Sequence, residues 1–334
     1  MRALERLDEL YAIGGGPGAN RIGYSPEEDA AHELARGWLE AAGLQVTVDA
    51  AGNLLGTDPG SVPGVWTGSH LDTVPHGGKF DGALGVVAAI EAVEGAGRGS
   101  VVVFRDEERG CSGSRALVAG GRLPQAFLEV HVEQGPRLAG AGAPLGIVTG
   151  VVGVSRGTVV VNGRAGHAGT TPMDVRDDAL VKAAELMLRM REVARSIDGA
   201  VVTVGELEVE PGAVNVIPSR VTMSVDARAP TAESCTALVE RLGFEPTYRT
   251  QPAEMDGRLR EALRAELEAR GLPVVELTSG AGHDAAVLAA AGVPSAMLFV
   301  RSLNDGVSHS PDELSSPADV ALAIDVLAGW LRRL

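Results

Sequence analysis

Apolar and polar positions along this chain follow two rhythms, one at each end and another in the middle. Ser25-Pro-Glu-Glu28 reads as a capping box with proline at the first helical position, and Gly43 closes the apolar pattern behind it. That punctuation predicts a helix over 26–42. Short β-type runs follow at Val46–Val48, Val65–Ser69, Val101–Phe104 and Phe127–Val132, with helical stretches near 83–95 and 113–120 between them. Strands alternating with helices predict a mostly parallel sheet covered by helices, so the first part reads as α/β.

From about residue 154 the rhythm changes. A strand at Thr158–Val161, a long helix over Asp174–Ser196, alternating strands at Val201–Val209 and Arg220–Arg228, and a helix at Thr231–Leu242 predict a small ferredoxin-like α+β sandwich. After Met255 the first rhythm returns, with a helix to Arg270, a strand at Val274–Leu277, a helix from His283, a strand at Ala296–Val300 and a closing helix from Pro317. The expected organisation is therefore an α/β domain of residues 1–153 and 251–334, a mixed sheet flanked by helices, interrupted by an insertion at 154–250.

Composition narrows the function. The chain has 334 residues, 45% of them apolar, which suffices for the cores of two domains. With 29 Lys+Arg against 44 Asp+Glu the formal charge is −15, which opposes binding to nucleic acid or to an anionic membrane. No run of eighteen apolar residues predicts a membrane span, and the charged start Met1–Leu10 has no apolar core of a secretory signal, so a cytoplasmic location is expected. Cys111 and Cys235 belong to no C-x-x-C pair and read as small buried hydrophobes.

Histidine is the informative count: there are seven, and most stand in polar, glycine-flanked stretches. His70 and Asp72 lie two apart at a strand end and project the same way. Asp81 stands in Phe80-Asp-Gly82 before an apolar helix, Asp106-Glu-Glu108 follows a buried strand, His131 closes another strand, and His309 sits in a polar loop after a third. Each has a plainer reading taken singly: a helix N-cap, a solvated acidic loop, a core histidine, a surface histidine. Together they recur at the carboxyl ends of successive strands, which converge on one edge of such a sheet. Three imidazoles with carboxylates there suit two Zn²⁺ or Mn²⁺ ions bridged by a carboxylate.

The motifs His70-x-Asp72, Phe80-Asp81-Gly82, Asp106-Glu107-Glu108, His131-x-Glu-Gln-Gly-Pro136, Gly166-His-Ala-Gly-Thr-Thr-Pro-Met173, Gly280-Ala-Gly-His-Asp284 and Ser308-His-Ser-Pro311 run in order from about residue 20 to 330. This set resembles the N-carbamoyl-L-amino acid hydrolase and allantoate amidohydrolase branch of the M20 metallopeptidase-like family. The resemblance implies Asp81 as a bridging carboxylate, with His70 and His131 completing one metal site and Glu108 and His309 the other. It implies Glu107 as the general base and Asp72 as the partner of His70. The ordinary peptidases of the family carry a carboxylate where His131 stands, so His131 favours the ureido-cleaving branch.

In the insertion, the resemblance implies a lid and dimerisation domain. His167 would reach a neighbouring subunit's active site to help polarise the scissile carbonyl, so a homodimer is expected. Asn215 and Arg228 would bind substrate, Arg228 through a fork matched to an α-carboxylate; its plainer reading is an ion pair with Asp226. Gln134 and His283 would line the pocket. His32 and His76 receive no role. The expected cofactors are two divalent cations, Zn²⁺ or Mn²⁺, with Co²⁺ or Ni²⁺ also compatible. The expected reaction cleaves the ureido C–N bond of an N-carbamoyl-L-amino acid, with allantoate hydrolysis or an M20-type aminoacylase or dipeptidase activity as alternatives. One departure stands out: Glu107-Glu-Arg-Gly-Cys-Ser-Gly-Ser-Arg-Ala-Leu117 is shorter than the family's pattern after the acids and lacks its phenylalanine.

Overall fold

The structure, a computed structural model, describes residues 1–58 and 64–333. These residues form two compact units, Met1–Val151 with Ala253–Leu334, and Val152–Pro252. Among the described residues no helix is long and apolar enough to cross a membrane.

The first unit is built on a mixed sheet. Its strands run in the order Gln45–Val48, Leu54–Thr57, Ser100–Phe104, Val65–His70, Ala126–Val132, Ser295–Val300, Leu145–Val151 and Ala253–Glu254, with Glu276–Ser279 also pairing with Leu145–Val151. The four strands in the middle, from Ser100–Phe104 to Ser295–Val300, are mutually parallel, so their carboxyl ends share one edge. The helix Ala83–Ala96 is apolar all round from Ala83 to Ile90 because that part is covered all round: it lies on the sheet beneath the helices Arg2–Tyr11 and Pro317–Arg333, and only its last turns carry charge, at Glu91 and Glu94. The α/β architecture expected for this part of the chain is the one observed.

Two local features aim the sheet edge. Ser25 caps the helix Pro26–Ala41 by accepting the Glu28 N–H (3.3 Å), but Glu28 does not return the bond to Ser25 as a capping box would. Its fully buried carboxylate accepts the N–H groups of Tyr24 and Asp106 and pairs with Arg105 (2.8 Å), which ties this helix to the acidic turn. Gly85 lets the helix Ala83–Ala96 lie close on the sheet, since a Cβ there would stand 2.2 Å from the Val130 carbonyl oxygen.

The second unit holds an antiparallel sheet in the order Leu207–Glu210, Arg220–Ala229, Gly153–Asn162, Pro246–Thr250, with Val201–Thr203 also on Arg220–Ala229. The helices Ala179–Arg195 and Ala232–Leu242 share a core with it through Met190, Met223, Val225, Leu238 and Phe244. This is the α+β layering expected, with two differences. The long helix starts at Ala179 rather than Asp174 because Asp178 is its N-cap, accepting the N–H groups of Leu180 (2.9 Å) and Val181 (3.2 Å). The run Val201–Val209 splits in two where the Glu206 N–H bonds the Ser224 hydroxyl (2.9 Å) rather than a ladder carbonyl.

Gly85→Ala tests the close approach. Alanine in a helix interior gains about 1 kcal/mol over glycine, but a 2.2 Å clash with backbone has to be relieved at about 1–3 kcal/mol. The expected outcome is a lower urea midpoint; a midpoint above that of the parent protein would show that the helix has room to spare.

Candidate metal centre

At the shared edge of the parallel strands, the Asp81 carboxylate faces two groups of side chains, one from each oxygen. Oδ1 lies 3.3 Å from His131 Nε2 and 3.9 Å from His70 Nε2, and Oδ2 lies 3.3 Å from His309 Nε2. Glu108 Oε2 stands 3.5 Å from the same His309 nitrogen. Two ligand sets result, His70/Asp81/His131 and Asp81/Glu108/His309, each with its donor atoms within 4.8 Å of one another, and Asp81 belongs to both. Gly82 makes the turn possible: it takes φ +62°, and a Cβ there would meet the His70 ring at 2.4 Å.

The orientation of these groups fits a cation. His70 turns Nδ1 toward Asp72 Oδ1 (3.2 Å), and His131 turns Nδ1 toward the Val132 carbonyl (2.9 Å), so both turn Nε2 inward. The His70 Nε2 and Glu108 Oε1 atoms are buried with no hydrogen-bond partner, a condition that costs stability unless another group satisfies them. A divalent ion on N/O donors would do so. A third group, Glu129/His131/His283, also lies within ligand range, but its donors are spent. Glu129 accepts the Ser69 hydroxyl (2.7 Å) and the Ala285 N–H (2.9 Å), and His283 Nε2 bonds Ser279 Oγ (2.8 Å).

The adjacent acids Glu107 and Glu108 diverge. Glu107 Oε2 stands 3.8 Å from His70 Nε2, whereas Glu108 reaches His309. Asp72 fixes both, Oδ1 accepting the Glu107 N–H and Oδ2 the Glu108 N–H, each at 3.0 Å. The short turn after the acids brings Cys111 onto Glu107. Burial keeps this thiol protonated, and it donates to Oε1 (3.5 Å).

Burial pushes the Glu107 carboxyl well above the usual range, and burial with the Asp81 charge raises Glu108 to about 7. Burial would raise Asp81 too, but His131 and His309 outweigh it and hold that carboxyl well below the usual range. The Asp81 contact raises His309 to about 9. Burial beside the His131 ring, 4.5 Å away edge-on, keeps His283 neutral.

Other sequence candidates are dispersed. Gln134 joins the centre, donating Nε2–H to Asp81 Oδ2 (2.9 Å). His283 is buried between the rings of His131 and Phe299, behind the ligands. His167, Asn215 and Arg228 lie in the second unit. His167 and Asn215 are exposed and flank one two-stranded ladder, where the Asn215 carbonyl accepts the Ala168 N–H (3.0 Å). The Arg228 fork engages Asp226 through two bonds, 2.8 and 3.1 Å. Glu313, four residues beyond His309, is buried and was not singled out from the sequence; only its place behind a ligand motif pointed to it.

Comparison with known proteins gives the family. The profile of peptidase family M20/M25/M40 matches residues 66–333. The chain belongs to this family. Members of the M20 family are metal-dependent hydrolases, and the shared-aspartate cluster is this member's candidate for holding metal. The chain is similar to the N-carbamoyl-L-amino acid amidohydrolase of Geobacillus stearothermophilus, at 37% identity over 98% of this chain and 96% of that one. It is similar to the allantoate amidohydrolase of Escherichia coli at 31% identity, covering 99% and 97%. Among solved structures, a hydantoinase/carbamoylase family amidase from Burkholderia multivorans superposes with TM-score 0.90 at 29% identity, covering 99% and 97%.

Ligation by this M20 centre is checked by melting. Metal-depleted protein given Mn²⁺ at a hundred times Kd should gain about 2.7 kcal/mol, a rise in Tm of about 5–10 °C for a domain of this size. Asp81→Asn should abolish the rise; a full rise in that variant would place the ion elsewhere.

Proposed function

We propose that this M20 protein hydrolyses the ureido C–N bond of an N-carbamoyl-L-amino acid, using two divalent cations held by His70/Asp81/His131 and Asp81/Glu108/His309. The observation that carries the reading is one buried carboxylate shared by two ligand sets, with a second acid, Glu107, beside them and outside both. The ligand atoms suit Zn²⁺ or Mn²⁺, and also Co²⁺ or Ni²⁺. The substrate class rests on the 37% identity to a carbamoyl-amino acid amidohydrolase and on a histidine at 131, within His131-x-Glu-Gln-Gly-Pro136.

Cations in these sets supply Lewis acidity toward water and toward the ureido carbonyl. Glu107 accepts a proton from the attacking water at Oε2, the oxygen facing His70, while Oε1 stays on the Cys111 thiol. The water oxygen bonds to the ureido carbon, the C–NH₂ bond breaks, and Glu107 returns its proton to the departing nitrogen as ammonia. The carbamate left behind loses CO₂ to give the amino acid. Asp72 holds Glu107 and His70 in register throughout. Gln134 lines the pocket beside Asp81, and His283 backs the His131 ring behind it.

Substrate recognition extends to the second unit. Arg228 receives the α-carboxylate, sharing its fork with Asp226. His167 and Asn215, exposed at one two-stranded ladder, complete the active site of a neighbouring subunit in a homodimer, His167 by polarising the carbonyl and the unit as a whole serving as a lid. Free thiols at Cys111 and Cys235 accord with a cytoplasmic setting.

A panel of N-carbamoyl-L-amino acids, allantoate and N-acyl amino acids, assayed with Mn²⁺ for ammonia against free amine, tests the substrate class. Ammonia from the carbamoyl compounds is expected; release from allantoate alone would reassign the substrate, and release of amine from N-acyl compounds alone would remove the ureido reading. Glu107→Gln should lower kcat by at least about 100-fold with bound metal unchanged.

A further inference from the structure

The side chain of Glu313 is 4% exposed and reaches back to the turn that carries Asp81, 232 residues earlier in the chain. Its Oε1 accepts two successive main-chain N–H groups, those of Phe80 (2.7 Å) and Asp81 (2.9 Å). Its Oε2 accepts the hydroxyl of Ser308 (2.6 Å), the residue before His309. Ser308 Oγ in turn accepts from Gln134 Nε2 (3.2 Å), and that same amide donates its second hydrogen to Asp81 Oδ2 (2.9 Å). The circuit closes on itself: Asp81 main chain, Glu313, Ser308, Gln134, Asp81 side chain. Every hydrogen in it has one acceptor, so a member that turns away breaks the bonds of its neighbours as well.

The surroundings are shaped for this carboxylate. A Cβ on Gly78 would stand 2.2 Å from Glu313 Cδ. Gln134 and His309 both hold left-handed backbone, φ +56° and +53°, conformations that non-glycine residues keep only where neighbours impose them. The two ligand sets differ in what steadies them. His70 and His131 sit on interior strands with Nδ1 held by Asp72 and by the Val132 carbonyl, neither of which touches Glu313. His309 stands on a loop with its side chain half exposed, and the Ser308 contact is its neighbour's anchor.

We propose that Glu313 is a positioning residue for the Asp81/Glu108/His309 ligand set: by clamping the Asp81 turn to the His309 turn it sets the affinity of that set, and it acts less on the His70/Asp81/His131 set, which shares Asp81 but takes its two histidines from strands held by other contacts. This rests on the two-cation reading given above. An outer group orienting a ligand changes metal affinity by about 10–100-fold when removed.

The experiment is equilibrium dialysis of the full metal-depleted chain against Mn²⁺, with bound metal counted per folded chain and folding followed by far-UV circular dichroism. The parent protein should bind two ions, and His309→Ala should mark which affinity belongs to the His309 set. Glu313→Ala should weaken that affinity by about 10–100-fold and weaken the other, which shares Asp81, by clearly less. Glu313→Gln, whose amide oxygen still accepts both N–H groups while its NH₂ can donate to Ser308, should restore most of the loss. A residue serving only stability would lower the melting temperature and leave both affinities alone, so unchanged binding in Glu313→Ala overturns the proposal, as does equal weakening of both sites. Should Glu313→Ala fail to fold, Ser308→Ala decides: greater weakening of the same site supports the clamp, and unchanged binding overturns it. Fewer than two ions on the parent protein would instead overturn the two-cation reading and the clamp with it.

Discussion

A carboxylate 3% exposed must be matched by charge or by hydrogen bonds, because an isolated buried ion costs more than a fold of this size can absorb. Asp81 is that carboxylate, and the surrounding architecture answers it. Three imidazoles and one amide turn toward its oxygens, and one glutamate gathers its main-chain N–H. The compensation overshoots in the other direction, since Asp72, Glu107, Glu108, Glu129 and Glu313 are all held nearby on the same sheet edge. A centre so rich in acid calls for positive charge from outside the chain, which is what a metal-dependent family provides.

The fold meets this demand through direction rather than sequence proximity. Four parallel strands point their carboxyl ends one way, and each end carries a ligand or leads into a loop that does. The close seating of the helix Ala83–Ala96 on Val130 brings its first turn, and with it Asp81, down to the level of the histidines. Glu28 then fixes the acidic turn from the far side by holding the Asp106 N–H (3.0 Å). The fully buried Arg21 pins the Asp72 loop through the Leu71 carbonyl (2.7 Å), and burial lowers its pKa to about 10. The ligands therefore have little freedom to relax when a cation is absent.

Much of this was legible in the sequence. The strands ending near His70, Phe104, His131 and Val300 are short β-branched runs with turn residues behind them, and the helix Ala83–Ala96 announces itself by continuous apolarity. Less legible were the strands Leu54–Thr57 and Leu145–Val151, each interrupted by glycine; in the second, Gly146 is required because Leu138 and Leu277 fill the space of a side chain. The helix Arg2–Tyr11 went unread because its charges suggested only a polar terminus, whereas Arg2 and Arg6 pair with Glu91 on the central helix. The ligand histidines could be picked out because histidine is scarce here and glycine marks their turns. Glu313 could not: one acid among 44 Asp+Glu carries no sign of burial, and the N–H groups it serves lie far away in the chain. Likewise the Asp72 contacts to two main-chain amides follow from three-dimensional approach, which spacing does not encode.

The order of strands in the sheet has a consequence for how the protein is made. Ser295–Val300 lies between Ala126–Val132 and Leu145–Val151, so during translation the strand bearing His131 is synthesised early and then waits, one edge bare, until the chain is almost complete. Through that interval it is a sticky template for any other extended segment. The cluster of Asp81, Glu108 and His309 cannot form until the same late moment, so a ribosome-bound chain lacks that half of the candidate centre. Assembly of the sheet and completion of the shared-aspartate cluster thus fall at one step of biosynthesis, and a chaperone that shields the waiting edge would also govern when the protein can mature.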